Sequence, residues 1–282
     1  MSEKRMLVAL AHPDDESFGS GALLAKYTAE GTDVYYICAT LGDRGTIAPE
    51  YLERYGSVAA TRDAELNCAA EVLGLKHVYK FGYRDSGMMG SPDNDDPSCL
   101  WQADEDEVTE RIVAVIREVK PQVVLTFDPF GAYGHPDHIY MHRVTTRAFH
   151  AAGDATQFPD AGPAYQPQKL YYTNISRAFI RVGIWNARLR FQNPRQLGVN
   201  KDIDLVQILD KVPPAHVRIN VGPYMHIGEQ ASRCHASQGG GLRGFLPPRL
   251  RRILFRYQTL TRAFPPPPTD KIIEHDLFEG IT

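Results

Sequence analysis

The chain opens on a short apolar run, R-M-L-V-A-L-A at 5–11, which gives way at once to the polar string H-P-D-D-E. A run of that length without polar alternation predicts a strand buried on both faces, the habit of parallel sheets. Residues 17–30 have the Ala, Leu and Gly content of a helix, and 33–40 (D-V-Y-Y-I-C-A-T) the β-branched and aromatic content of a second strand. Helical periodicity over 59–73 stops at Gly74, a C-cap residue, and a short third strand is predicted at 78–81. A helix at 104–119 starts with acidic residues, as the helix dipole favours, and Pro121 ends it. V-V-L-T-F at 123–127 predicts a fourth strand, 136–151 a helix and 169–173 a fifth strand.

This alternation predicts an α/β fold of Rossmann-like type: a mostly parallel sheet with helices on both faces. Sites in such folds lie outside the carboxyl ends of the strands. Past residue 175 the pattern loosens. A basic amphipathic helix is expected at 176–192, a strand at 217–221 and a helix at 224–238. Gly239 and Gly240 mark a flexible break, 243–262 is Arg-rich, and the proline run 265–268 should be extended. Residues 85–97, rich in Gly, Pro and Asp, read as a long loop, and long ordered loops tend to shape a site.

Composition narrows the function classes. The 282 residues, 43% of them hydrophobic, suffice for a sizeable core. A formal charge of −3 shows no global basic excess for nucleic-acid binding, and no apolar run approaches a membrane span. The N-terminal run lacks the apolar core and cleavage site of a signal peptide. Cys38, Cys68, Cys99 and Cys234 are far apart and form no CxxC, so they are expected to be reduced, structural thiols of a cytoplasmic protein.

Two strings carry chemistry. Ala11-His12-Pro13-Asp14-Asp15-Glu16 follows the first strand, and Gly134-His135-Pro136-Asp137-His138 follows the fourth, with His142 one turn on. An imidazole and a carboxylate three residues apart can converge on one cation, and zinc accepts such N/O ligation. His138 and His142, at i and i+4, share a helix face and offer a second ligand pair. Taken singly, each string also reads as a capped helix start. Two His-Pro-Asp turns at the ends of two parallel strands are hard to credit to capping alone, so a metal site is expected.

Both strings resemble the hallmark motifs of the PIG-L/LmbE-like family of zinc-dependent N-acetylglucosaminyl deacetylases. Arg62-Asp63-Ala64-Glu65 is similar to its R-x-x-E segment, and His235-Ala236-Ser237-Gln238 to its late H-x-[ST]-Q signature. Tyr83-Arg84-Asp85-Ser86-Gly87-Met88 and Ala132-Tyr133-Gly134 look like the mycothiol-pathway members. The resemblance implies one Zn2+ per chain on His12, Asp15 and His138, with His142 not a ligand. It implies Asp14 as general base, His135 as acid or electrostatic partner, Asp137 as the carboxylate orienting His135, and Tyr133 as a further donor. Arg62, Glu65, Asp85 and His235 are the candidate substrate contacts. The implied activity is removal of the N-acetyl group from an N-acetylglucosamine-type sugar, with amidase action on a larger conjugate at the same zinc as the alternative. The expected organisation is one catalytic domain over 1–240, in which 176–220 is a poorly matched substrate-side insertion, and an Arg/Pro-rich extension over 241–282 packed on it. A small-molecule substrate and no nucleic acid are expected, and a homo-oligomer is left open.

A nucleotide-binding module is disfavoured, because the first strand–helix turn lacks a Gly-rich phosphate loop and carries carboxylates where a phosphate would sit. The Arg-rich 243–262 segment offers a third class, an adaptor for anionic lipid or nucleic acid, against the plainer reading of a solvated or docked tail.

Overall fold

The computed structural model describes residues 3–197, 203–240 and 255–281. Its first half runs β1 (Arg5–Leu10), α1 (Asp15–Phe18), α2 (Gly21–Ala29), β2 (Asp33–Thr40), α3 (Pro49–Tyr55), α4 (Val58–Leu73), β3 (His77–Tyr83), α5 (Glu105–Val119) and β4 (Val123–Thr126). The second half adds α6 (Gly131–Gly134), α7 (Pro136–Ala151), β5 (Lys169–Thr173), α8 (Arg177–Leu189), α9 (Leu205–Lys211), β6 (Val217–Asn220), α10 (Met225–Cys234) and β7 (Tyr257–Phe264). One seven-stranded sheet has the order β3-β2-β1-β4-β5-β7-β6. The first five strands pair in parallel, with Met6 opposite both Val34 and Val123, and β7 joins β5 and β6 antiparallel. The Rossmann-like expectation is met. β1 and β4 are almost wholly buried, which is why they read as unbroken apolar runs rather than alternating ones. Helices α2, α4 and α10 pack together, as do α5 and α7, and these two layers flank the sheet.

Three expectations need correction. The helix expected at 17–30 is broken at Gly19 and Ser20 into α1 and α2. Of the expected 241–282 extension, the described residues 255–281 are not laid on the domain: β7 sits inside the sheet between β5 and β6. Its Lys169–Glu274 and Arg262–Glu274 ion pairs are at 2.8 and 2.6 Å. The Arg-rich stretch before it, 243–254, lies outside the described residues. Finally, Cys68 on α4 and Cys234 at the end of α10 form a disulfide across 166 residues, while Cys38 and Cys99 are free and buried. Sequence spacing hides such a pair, because α4 and α10 become neighbours only in the fold. Among the described residues no helix is long and apolar enough to cross a membrane.

Candidate metal centre

In the sheet order the chain runs outward from β1 through β2 to β3, then returns to the other side of β1 with β4. The gap between the carboxyl ends of β1 and β4 is therefore the topological switch point, where helices leave in opposite directions and open a crevice. Both histidine motifs empty into it.

His12 leaves β1 buried. Its Nδ1 faces His138 Nε2 at 3.1 Å and Asp15 Oδ2 at 3.6 Å, and His138 Nε2 lies 3.5 Å from Asp15 Oδ1. Two imidazole nitrogens that face each other so closely cannot both present lone pairs without a proton or cation between them. On the other edge of the ring, His12 Nε2 meets Asp137 Oδ2 at 3.0 Å. A carboxylate there accepts the Nε2 proton and leaves Nδ1 as a lone-pair donor, the arrangement that orients metal-binding histidines. Asp137 is itself fixed by the Ser86 backbone N–H at 3.1 Å and by the Ser86 hydroxyl. The His138 ring stacks on Phe127 with centroids 3.9 Å apart. Gly131 permits this approach, since a Cβ there would come within 2.8 Å of His138 Cβ.

Four carboxylates (Asp14, Asp15, Asp85 and Asp137) surround these rings. Burial opposes the protonated form of His12, yet Asp85, Asp137 and Asp15 outweigh it and hold its pKa well above normal. Burial likewise opposes ionisation of Asp15, but His138 and His12 keep it below the usual carboxylate range. Burial lowers His138 to about 4. The cluster is thus short of positive charge in a buried setting, a condition that a bound cation relieves.

Asp14 stands beside the ligand set with φ 111° and ψ −27°, a left-handed conformation that is costly for a residue with a Cβ. It is held there by its neighbours. Its N–H donates to Glu16 Oε2 at 3.0 Å, and Arg62 Nη2 donates to its Oδ2 at 3.0 Å and to Pro13 O at 2.5 Å. Burial raises its pKa to about 7 against the pull of Arg62. Arg62 also donates to Gly42 O, and Gly42 (φ 63°) is obligatory because a Cβ would fall 1.8 Å from Arg62 Nη1.

His135 caps α7, its Nδ1 accepting the Asp137 backbone N–H at 3.2 Å. That acceptor role puts the ring proton on Nε2, which points toward Asp85 Oδ1 at 3.9 Å. Burial and then the neighbouring His12 and His138 charges lower its pKa to about 3, so it is a neutral donor. One ring nitrogen from each of His12, His135 and His138 lies within 4.8 Å of the other two. Tyr133 packs edge-on against His138 at 5.0 Å, and burial raises its pKa.

The site therefore gathers His12, Asp14, Asp15, Arg62, Asp85, Tyr133, His135, Asp137 and His138, but several expected roles change. Asp137 turns its carboxylate to His12, so it orients a metal ligand, while only its backbone supports His135. His142, expected not to be a ligand, has its Nδ1 2.8 Å from Phe127 O. Glu65 spends both oxygens on Ser237 (N–H and hydroxyl, each 2.7 Å). His235 is fully buried with Nε2 on Glu16 Oε1 at 2.6 Å. Glu65 and His235 therefore brace the site through Ser237 and Glu16. Reading the sequence missed Glu16, Ser86 and the Gly42–Asp43 turn, where Asp43 Oδ1 accepts the Asp85 N–H at 2.8 Å. That turn ends β2, so the same strand-end rule that singled out the two histidine motifs would have found it.

The chain is similar in sequence and fold to known deacetylases. Residues 7–149 match the family model described as "PIG-L: GlcNAc-PI de-N-acetylase". A Geodermatophilus obscurus protein named 1D-myo-inositol 2-acetamido-2-deoxy-alpha-D-glucopyranoside deacetylase is 45% identical over 190 residues, 64% of this chain and 65% of that protein. A Streptomyces avermitilis protein of the same name is 36% identical over 294 aligned positions, covering 100% of this chain and 98% of its own. Among solved structures, N,N'-diacetylchitobiose deacetylase from Pyrococcus horikoshii superposes with a TM-score of 0.61 at 20% identity, over 93% of this chain and 84% of that one, a likeness of fold.

Proposed function

Because the chain belongs to the GlcNAc-PI de-N-acetylase (PIG-L) family, we propose that it is a zinc-dependent amide hydrolase that removes acetate from an N-acetylglucosaminyl conjugate, with N-acetylglucosaminyl inositol as the first candidate. The observation that carries this reading is the convergence of three side chains: His12 Nδ1 and His138 Nε2 stand 3.1 Å apart, with Asp15 Oδ2 3.6 Å from the first and Asp15 Oδ1 3.5 Å from the second. Ligands at about 2.0–2.1 Å from a tetrahedral zinc stand about 3.3 Å apart, which the two imidazole nitrogens match and to which either Asp15 oxygen lies close, and three protein ligands would leave a fourth position open. Zinc held there would supply a Lewis acid for the acyl oxygen and acidify a water.

The chain's own groups account for the rest. Asp14 takes the proton of the attacking water as the bond to the acyl carbon forms. His135 donates its Nε2 proton as a hydrogen bond to the developing oxyanion, and keeps it. Because His135 is neutral and its Nδ1 is occupied, the proton for the departing amine comes back from Asp14. Arg62 stabilises Asp14 as a carboxylate and aims it. Asp85, carried on the 85–97 loop, is buried beside His12 and His135, 3.7 and 3.9 Å from their Nε2 atoms, which supports the reading of it as an acceptor for a sugar hydroxyl bound next to the metal.

The test is a product assay on purified protein. N-acetylglucosaminyl inositol should release acetate and a free amine stoichiometrically, faster than any larger amino-sugar amide. Release of amine from a bulky amide with N-acetyl substrates untouched would overturn the deacetylase reading in favour of an amidase.

A further inference from the structure

The bond between Cys68 and Cys234 takes no part in the chemistry derived above, yet it ends beside a chain of contacts that leads to Asp14. It joins α4 to the last residue of α10. His235 comes next, fully buried, with Nε2 on Glu16 Oε1. Glu16 is fully buried too, and its other oxygen, Oε2, accepts the N–H that Asp14 presents from its left-handed backbone. On the α4 side, Cys68 follows Glu65, which holds Ser237, and lies within two turns of Arg62, which holds the Asp14 carboxylate. The bond therefore ties together the two routes by which the fold grips the general base. The four cysteines also differ in access: Cys38 and Cys99 are buried free thiols, whereas Cys68 is exposed and Cys234 half-buried. Disulfides open to solvent are the ones that exchange with thiols, and a chain with a core of this size has less need of a staple than a small domain does.

We propose that Cys68–Cys234 is a thiol-sensitive latch on the general base: closed, it holds Asp14 in its working geometry, and opened by a small thiol it lets Asp14 go. A thiolate attacks the exposed Cys68 sulfur, forms a mixed disulfide there and expels the Cys234 thiolate, which takes up a proton. A second thiolate attacks the small-molecule sulfur of that mixed disulfide and frees Cys68, which is protonated in turn. The protein gains two electrons and two protons, and two small thiols leave as one disulfide. Two thiol sulfurs cannot stay at bonding distance, so one end must withdraw. Helix α4 is packed along 16 residues, while Cys234 is the final residue of α10, so the α10 end yields and carries His235 with it. Glu16 then loses its partner, and Asp14 loses a firm acceptor for the N–H that keeps it in the costly backbone region. This inference rests on the deacetylase reading and adds regulation to the same site.

The test equilibrates the full-length, zinc-loaded protein in mixtures of reduced and oxidised glutathione. Zinc content, thiols open to alkylation, kcat for acetate release and amide hydrogen exchange are read on each sample. Protein with the bond open should keep its zinc and lose about five- to thirty-fold in kcat. The amides of Asp14, Ser17 and Phe18, all bonded within this turn, should exchange faster by a similar factor. Reoxidation should restore both. Cys68→Ser should stand at the reduced level in every mixture, and Cys234→Ser serves as the second variant if the first does not fold. An opened bond that leaves kcat and exchange at their oxidised values is a staple only and overturns the proposal. So does a thiol response that persists in the folded variants, or one that tracks loss of zinc. The exchange readout needs no turnover, so failure of the deacetylase reading alone would leave it intact.

Discussion

At the scale of single residues, the centre depends on a backbone that Asp14 would not adopt alone. A left-handed non-glycine residue costs about 1–2 kcal/mol, and here Glu16, Arg62 and Pro13 O hold it. Strain kept by surrounding contacts is characteristic of reactive positions. Asp14→Asn keeps the shape and every ligand but removes the proton acceptor. It should retain metal at wild-type stoichiometry and lose about 10²–10⁴ in kcat; full turnover would remove Asp14 from the mechanism. The first-line residues were legible in the sequence because motif and strand end coincide. Their partners were not. Nothing in the string H-P-D-H distinguishes an Asp137 that orients His135 from one that orients His12, since that choice is made by ring rotation in three dimensions.

At the scale of elements, the late segment around α10 is a brace. Cys234 is bonded to Cys68, Glu65 of α4 holds Ser237, and His235 reaches Glu16 beneath Asp14. Helix α4 thereby presents Arg62 on one turn and anchors the brace on the next. Glu65→Gln weakens a bond to a charged acceptor, worth about 1.5–3 kcal/mol, so Tm should fall while KM stays near wild type. A large rise in KM with unchanged Tm would return Glu65 to the substrate. Elements with strong periodicity were legible to the residue: α7 and β5 occur at the expected 136–151 and 169–173. Strand β7 was not, because its apolar positions are interleaved with Thr, Gln and Arg and it follows an Arg-rich stretch. Its place in the sheet is a tertiary decision.

At the scale of the whole molecule, one buried ionic cluster ties the C-terminal strand and tail to the sheet. Glu274 accepts from Lys169, Tyr171 and Arg262 at 2.8, 2.7 and 2.6 Å. Burial would raise its pKa, but these three partners overcome that and lower it below 4.5. A carboxylate with a depressed folded pKa contributes stability above the unfolded value and loses it as pH falls through the folded value. Glu274→Gln should therefore destabilise by about 3 kcal/mol at neutral pH, and the gap from wild type should shrink as pH drops below about 4.5. A gap of constant size across that range would mean that packing, not charge, is what Glu274 contributes.

The sheet order opens a switch point between β1 and β4, and His12, Asp15 and His138 converge there. The most direct measurement is metal content coupled to acetate release, on protein as purified, after chelation and after zinc is restored. One zinc per chain is expected, with activity lost on chelation and regained on reloading, and with His138→Ala binding metal far more weakly than wild type. Chelated, metal-free protein that releases acetate at the original rate would contradict the account.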